Sequence, residues 1–152
     1  MLTAMASPPD QGAGPRAYAS GTHRRPRALI VDDDTELLEM LAWCIRAGGW
    51  LVEGVADGRE GLLAASLVQP DVIFMDLDLP VIDGIEAIRR LKRDEDTKHI
   101  PIVACTGVGG PSAERDARAA GCDAFLAKPC EPEVVRALLE ALVTGGGKGF
   151  LA

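Results

Sequence analysis

The sequence predicts one α/β domain built on an open, doubly wound sheet of five parallel strands with five helices. Three observations predict it. Short apolar segments alternate five times with longer segments of helical periodicity. The apolar segments have few polar residues on either face, as strands covered by helices on both sides do. Five units are too few for an eight-unit barrel, so right-handed crossovers give an open sheet.

The strands are predicted where apolar runs stop at polar or turn-forming residues. They are Ala28–Val31, Leu51–Ala56, Val72–Met75, Ile102–Cys105 and Ala124–Ala127. For five β-α units of this kind we expect the flavodoxin-like strand order 2-1-3-4-5. Strands one and three are then neighbours at the centre of the sheet.

The helices follow their strands and have recognisable end signals. Asp34 or Thr35 caps the first helix, Asp57 caps the second, and Pro70 limits its end. The other helices are predicted over about Gly84–Lys92, Ser112–Ala120 and Glu133–Val143. Apolar stripes expected to face the core are Leu37, Leu41 and Ile45; Leu62, Leu63 and Leu67; Ile85 and Ile88; and Leu138, Leu139 and Leu142.

The two ends differ from the alternating region at 27–143. Residues 1–26 are rich in Ala, Gly, Pro and Ser without periodicity and are predicted to be a disordered tail, and 144–152 a flexible one. The basic cluster at His23, Arg24, Arg25 and Arg27 is either a docking site or, more simply, a solvated junction. The charged run at 89–96 is interpreted as a solvated face. About nine residues follow the last helix, so we expect no output domain unless the chain is a fragment.

The charge, the cysteines and the lengths of the apolar runs limit the classes of partner and the location that we expect. A net charge of −7 argues against nucleic-acid and anionic-membrane partners and favours a partner protein or a small cation. The four cysteines show no metal-ligand spacing and are interpreted as reduced core residues. No apolar run approaches the roughly 18–20 residues that cross a bilayer. We therefore expect a cytoplasmic protein.

Polar residues follow four of the predicted strands at their carboxyl ends: Asp32 and Asp33, then Asp76, Thr106 and Lys128. Parallel strands end at one edge of the sheet, where open α/β folds bind ligands. Three carboxylates gathered there repel one another unless a cation intervenes. Mg²⁺ suits such hard oxygen ligands and leaves a coordination position for a phosphate oxygen.

A carboxylate nucleophile, a Mg²⁺ site, a hydroxyl and a lysine are the groups that phosphoryl transfer requires. Asp76 is the predicted nucleophile because it ends the central strand, between the other carboxylates and Lys128. Its product would be an aspartyl phosphate. Since no histidine belongs to this set, the phosphoryl donor must be another molecule.

The segments ALIVDDD, DVIFMDLDLPVIDGIEAIRRLK, PIVACTG and GCDAFLAKPC resemble the receiver domains of bacterial response regulators over about residues 27–143. The resemblance implies that Asp33 and Asp76 bind Mg²⁺ directly and that Asp32 binds it through water. It also implies that the backbone carbonyl of Asp78 is a ligand. Lys128 would contact the phosphoryl group, and the Lys128–Pro129 peptide bond would be cis.

The same resemblance implies a switch. Thr106 would move to bond the phosphoryl group and Phe125 would turn inward, which changes the surface of helix four, strand five and helix five. The donor would be a histidine kinase or a histidine phosphotransfer protein, the output a contact with a downstream protein, and a homodimer through that surface is possible. The protein would signal rather than act as an enzyme, beyond autophosphorylation and autodephosphorylation. We hypothesise that Asp78 and Val108 set the lifetime of the phosphorylated state.

Three alternatives remain at this point. The DxD pattern at Asp76 and Asp78 resembles the nucleophile motif of haloacid-dehalogenase-type phosphatases, although the further acidic pair of that class is not matched. A flavodoxin-like electron carrier shares the expected fold, but three aspartates after the first strand would repel a flavin phosphate. A receiver that has become a constitutive protein-binding module would not need its intact acidic set.

Overall fold

A computed structural model describes residues 24–107 and 110–143. Within them, five parallel strands form one sheet in the order β2-β1-β3-β4-β5, as predicted. The strands are β1 (Arg27–Val31), β2 (Leu51–Val55), β3 (Val72–Asp76), β4 (Ile102–Thr106) and β5 (Ala124–Ala127). The helices are α1 (Thr35–Ala47), α2 (Gly58–Val68), α3 (Gly84–Arg93), α4 (Gly110–Ala120) and α5 (Pro132–Val143).

The central strands β1, β3 and β4 are buried on both faces because helices cover both sides of the sheet. Their side chains alternate between two apolar cores. Leu29 and Ile73 belong to the core beneath α2, α3 and α4, while Ile30 and Phe74 belong to the core beneath α1 and α5. Because both faces are buried, these strands are continuously apolar, which is why the sequence locates them.

Three aspartates begin the helices that follow β1, β2 and β3. Asp34, Asp57 and Asp83 each accept hydrogen bonds from backbone N–H groups of the first helical turn. The predicted caps of α1 and α2 are confirmed, and Asp34 rather than Thr35 caps α1. These caps fix each helix start just beyond the carboxyl end of a strand.

The predicted apolar face of α2 is wrong in part. Leu63 and Leu67 are 59% and 83% exposed, and the buried positions of this helix are Gly58, Gly61 and Ala65. A Cβ at Gly61 would lie 2.9 Å from a methyl group of Val31. Small residues therefore let α2 approach β1 closely, and this contact turns the two leucines toward solvent.

The charged run at the end of α3 is not uniformly solvated, in contrast to the prediction. The side chain of Lys92 is only 17% exposed and its Nζ lies 2.8 Å from a carboxylate oxygen of Asp123. It also donates to the backbone carbonyls of Ile100 and Lys98 at 2.8 and 3.4 Å. Lys92 thus ties α3 to the segments that precede β4 and β5.

Only part of the predicted termini can be described. Arg24 pairs with Asp71 at 2.8 Å and Arg25 donates to the carbonyl of Gly49 at 3.0 Å, so these residues contact the domain. His23, the rest of 1–23, and 144–152 lie outside the described residues, and their predicted disorder stays a prediction. Among the described helices, none has the length and apolarity to span a membrane.

Candidate functional site

The predicted site residues lie together at the carboxyl edge of the sheet. Asp32 and Asp33 follow β1, Asp76 ends β3, Thr106 ends β4, and Lys128 follows β5. Backbone hydrogen bonds hold these strand ends in register: the N–H of Lys128 donates to the carbonyl of Thr106 at 2.8 Å. The strand order therefore brings residues that are up to 96 positions apart into one site.

The three carboxylates form one cluster. Asp32, Asp33 and Asp76 each place an oxygen within 4.8 Å of the others, a spacing that one metal ion can bridge. Asp32 and Asp76 are buried, at 6% and 5% exposure, and Asp33 is exposed. The donor set is made of hard carboxylate oxygens, which fits Mg²⁺ better than a softer metal.

Lys128 provides positive charge on the inner side of this cluster. Its Nζ lies 2.8 Å from Oδ2 of Asp32 and 3.3 Å from Oδ1 of Asp76. Burial lowers the pKa of Lys128, but the hydrogen bond from its ammonium to Asp32 and the charges of both aspartates outweigh burial and leave this pKa raised. Lys128 is therefore a fixed cation between two buried carboxylates.

The repulsion within the cluster is seen in the pKa of Asp76. Burial and the nearby charge of Asp32 raise the pKa of Asp76 to about 6, although Lys128 and the N–H of Asp78 act in the opposite direction. Asp32 has the closer ion pair with Lys128 and also accepts a hydrogen bond from the N–H of Asp34 at 2.9 Å. An added cation would therefore stabilise the ionised form of Asp76.

The loop after β3 positions Asp76 from the other side. The N–H of Asp78 lies 3.3 Å from Oδ1 of Asp76, and the N–H of Gly84 donates to the carbonyl of Leu77 at 3.0 Å. A Cβ on Gly84 would overlap the carbonyl oxygen of Asp76. The helix α3 can start this close to β3 only because residue 84 has no side chain.

A groove of about 390 Å³ gives access to the site. Its lining includes Asp78 and Thr106 on one side and Ser112 and Asp116 of α4 on the other. Thr106 is buried at 4% exposure and adjoins the groove. A molecule that enters between the β3–α3 loop and α4 would reach the hydroxyl of Thr106 next to the carboxylate cluster.

The predicted switch aromatic lies one strand away. Phe125 is partly buried on β5, opposite Ala104 of β4, and packs against the core beneath α4. The Lys128–Pro129 peptide bond is cis, as the resemblance implied. Val108 lies outside the described residues.

Comparison with known proteins decides the family. Residues 28–140 match the family described as "Response regulator receiver domain". The chain belongs to this family. Receiver domains are signalling proteins of two-component systems that bind Mg²⁺ at an acidic pocket and interact with histidine kinases and downstream targets. The phosphatase-like, electron-carrier and constitutive-binding alternatives are not favoured.

Two curated relatives and one solved structure illustrate the similarity of this receiver domain. The "Polar-differentiation response regulator DivK" of Brucella anthropi is 33% identical over 105 residues, which cover 68% of this chain and 85% of that protein. The "DNA-binding dual master transcriptional regulator RpaA" of Synechocystis is 36% identical over 118 residues, or 78% of this chain. The matched region spans only 49% of RpaA.

The solved structure is the receiver domain of the sensor histidine kinase PA1611 from Pseudomonas aeruginosa, "with magnesium ion coordinated in the active site cleft". It is 28% identical, with a TM-score of 0.74, and the match covers 80% of this chain and 99% of that one.

One feature of this receiver domain was missed by sequence reasoning. Cys105, at the end of β4, and Cys130, after Pro129, come together in the core on one face of the sheet. Both line a small cavity next to Asp32, Asp76 and Lys128. Each cysteine by itself indicates only a core residue, and the 24 residues between them hide the shared cavity in the sequence.

Proposed function

We propose that this receiver domain accepts a phosphoryl group on Asp76 in a Mg²⁺-dependent reaction. The observation that supports it most is the cluster of Asp32, Asp33 and Asp76, whose oxygens lie within 4.8 Å and which has Lys128 against its inner side. Asp76 is the member that ends the central strand, and its Oδ1 lies 3.3 Å from the N–H of Asp78, a residue that lines the groove. It is therefore the carboxylate placed for attack.

In the proposed reaction, a carboxylate oxygen of Asp76 attacks the phosphorus of a phosphohistidine. The new O–P bond forms as the P–N bond breaks, and the electron pair and a proton go to the departing imidazole. Asp33, Asp76 and the backbone carbonyl of Asp78 would hold Mg²⁺ directly, and Asp32 through water. When bound, the ion supplies positive charge to the transferring phosphoryl oxygens.

The remaining site residues act on the same oxygens. The ammonium of Lys128, already held at 2.8 Å from Asp32, would contact the phosphoryl group as a fixed charge. The hydroxyl of Thr106 would donate to it after a small movement at the end of β4. Phe125 would then turn inward and change the surface formed by α4, β5 and α5. Asp78 would influence the lifetime of this state from the rim of the groove.

The proposed partners follow from this chemistry. The donor would be the phosphohistidine of a kinase or a phosphotransfer protein, and the output a protein bound by the α4–β5–α5 surface. This surface is also the one through which two copies would pair. The net charge of −7 supports protein partners over nucleic acid or an anionic membrane, and a cytoplasmic location.

The test is phosphorylation with Mg²⁺ and a small phosphodonor, followed by intact mass of the native protein. We expect the wild type to gain one phosphoryl group, Asp76→Ala to gain none, and EDTA to abolish the gain. Asp96→Asn, a surface change in the turn after α3, serves as the matched control and should behave as the wild type. An adduct that persists in Asp76→Ala would place the acceptor elsewhere and refute the proposal.

A further inference from the structure

The bulkiest exposed apolar side chain among the described residues lies on α1. Trp43 is 60% exposed there, and Met40, three positions earlier, is 43% exposed. Residues three apart lie on the same side of a helix, so these two side chains form one apolar patch. Aromatic residues and methionine are enriched at the centres of protein interfaces, where they lose their contact with water. The outer side of α1 therefore suits a contact with another protein chain.

Charged residues flank this patch along the exposed side of α1. Glu36 and Glu39 precede the patch, Arg46 follows it, and all three are exposed. Glu39 and Arg46 are seven positions apart, which is about 10 Å along the helix axis. They are therefore too far apart for an ion pair within the helix, which needs a spacing of three or four residues. The outer side of α1 thus runs from negative through apolar to positive.

The exposed charges of α3 and α4 are arranged differently. Arg90 pairs with an acidic residue one turn earlier in α3, and Arg118 does the same in α4. Among the residues that the structure describes, neither Glu39 nor Arg46 has an ion pair. The helix dipole favours a base in the last turn, but Glu39 lies beyond the first turn and gains little from it. The two charges that flank the patch are thus available to a second chain.

We propose that two copies of this chain pair through α1, with the two helices antiparallel. A two-fold axis beside Trp43 brings the two indole rings together and places Glu39 of each copy opposite Arg46 of the other. Both ion pairs form at once, because Glu39 lies four positions before Trp43 and Arg46 lies three positions after it. Met40 then packs near Ala47 of the other copy. The outer side of α1 is self-complementary, as a two-fold interface requires.

The exposed leucines of α2 lack this complementarity. Leu63 and Leu67 are 59% and 83% exposed. The charged residues of α2 are Arg59 and Glu60, both in its first turn, and its last turn has no basic residue. An antiparallel second copy would therefore meet no opposite charge there. Pairing through α1 is also separate from pairing through the α4–β5–α5 surface, because α1 and α4 cover opposite faces of the sheet.

The first experiment measures the mass in solution by sedimentation equilibrium, from micromolar to millimolar protein. We expect the wild type to approach the dimer mass as concentration rises. The fluorescence of Trp43 should shift to shorter wavelength over the same range, since Trp50, the other tryptophan, is buried in either state. Trp43→Ala should remain a folded monomer by circular dichroism and sedimentation. Leu67→Ala, at another exposed apolar position, is the matched control and should pair like the wild type. A monomeric wild type, or a dimer that Trp43→Ala does not weaken, would overturn the proposal.

The second experiment exchanges the two charges to test the antiparallel arrangement. Arg46→Glu should weaken pairing roughly tenfold or more, because like charges then face each other at two places. Adding Glu39→Arg to this variant restores both ion pairs in the opposite sense and should return the dissociation constant to within about threefold of the wild type. Arg59→Glu makes the same change in net charge on α2 and should have no effect. A double variant that pairs no better than Arg46→Glu would refute the proposal. Neither experiment uses a phosphodonor, so the outcome does not depend on the proposed function.

Discussion

The raised pKa of Asp76 predicts an unusual dependence of stability on pH. The pKa of this carboxyl rises from 3.8 to about 6 on folding, because of burial and the charge of Asp32. Between these two values the folded chain holds a proton on Asp76 that the unfolded chain has released. The contribution of Asp76 to the free energy of unfolding is therefore fully present at low pH and is lost as the pH rises through about 6. An aspartate in a folded protein usually shows the reverse dependence.

The magnitude follows from the two pKa values. One pKa unit corresponds to about 1.4 kcal/mol, so the full shift is worth about 3 kcal/mol, of which the metal-free protein should lose about 2.5 kcal/mol between pH 4 and pH 7.5. The side chain of Asp76 is only 6% exposed, so solvent screens the effect little. Asp76→Asn cannot be charged and should not show this loss. At pH 7.5 the variant should be the more stable protein, since the pKa of about 6 already includes the attraction between the Asp76 anion and Lys128.

The assay is urea unfolding in EDTA at several pH values from 4 to 8, for the wild type and Asp76→Asn. Trp50 is 4% exposed, and its fluorescence reports the loss of the core. The difference between the two proteins removes the contribution of every other titrating group. Parallel profiles for the two proteins would refute the reasoning, as would a wild type that gains stability over Asp76→Asn when the pH rises from 5 to 7.

Three further predictions concern stability and use urea unfolding monitored by circular dichroism. Lys92→Met should lower the free energy of unfolding by about 1–3 kcal/mol, because it removes the ammonium that donates to Asp123 and to two backbone carbonyls, although Asp123 keeps its hydrogen bond from the N–H of Ile102. Lys98→Met, at an exposed ion pair, should change the free energy of unfolding by no more than about 1 kcal/mol. Equal effects of the two substitutions would contradict the role of Lys92. Asp57→Ala removes the N-cap of α2 and should lower the free energy of unfolding by about 1 kcal/mol. An unchanged free energy of unfolding would mean that the cap is dispensable. Gly84→Ala should lower the free energy of unfolding by more than about 3 kcal/mol or prevent folding, because the added Cβ would overlap the backbone of β3. A stable variant would show that the loop after β3 can move.

The strands and the site could be predicted because both depend on short-range patterns. A strand buried on both faces is continuously apolar, as Val72–Met75 is, and it ends where a polar residue appears. Once the strands are parallel, Asp76 and Lys128 must lie at one edge. The sequence could not determine how Lys128 divides its contacts between Asp32 and Asp76, since that depends on side-chain packing within the folded edge.

The orientation of α2 and the cavity shared by Cys105 and Cys130 could not be predicted, for a different physical reason. The sequence of α2 offers leucines on more than one side, and the close approach of Gly61 to Val31 decides which side faces the sheet. The cavity that Cys105 and Cys130 both line depends on the register of β4 with β5 and on the path of the chain after β5. These are tertiary properties, which no local pattern of residue types encodes.

The charges of the site give a physical reason for coupling phosphorylation to movement. With Asp76 ionised, three carboxylates and the ammonium of Lys128 leave two negative charges in excess, which one divalent cation balances. An acyl phosphate on Asp76 would replace one negative charge by nearly two, so the site would again have an excess of negative charge. Lys128 already contacts Asp32 and Asp76, so the added charge needs a further hydrogen-bond donor. Thr106 lies at the end of the next strand, and its movement toward the new charge would transmit phosphorylation to β4 and β5.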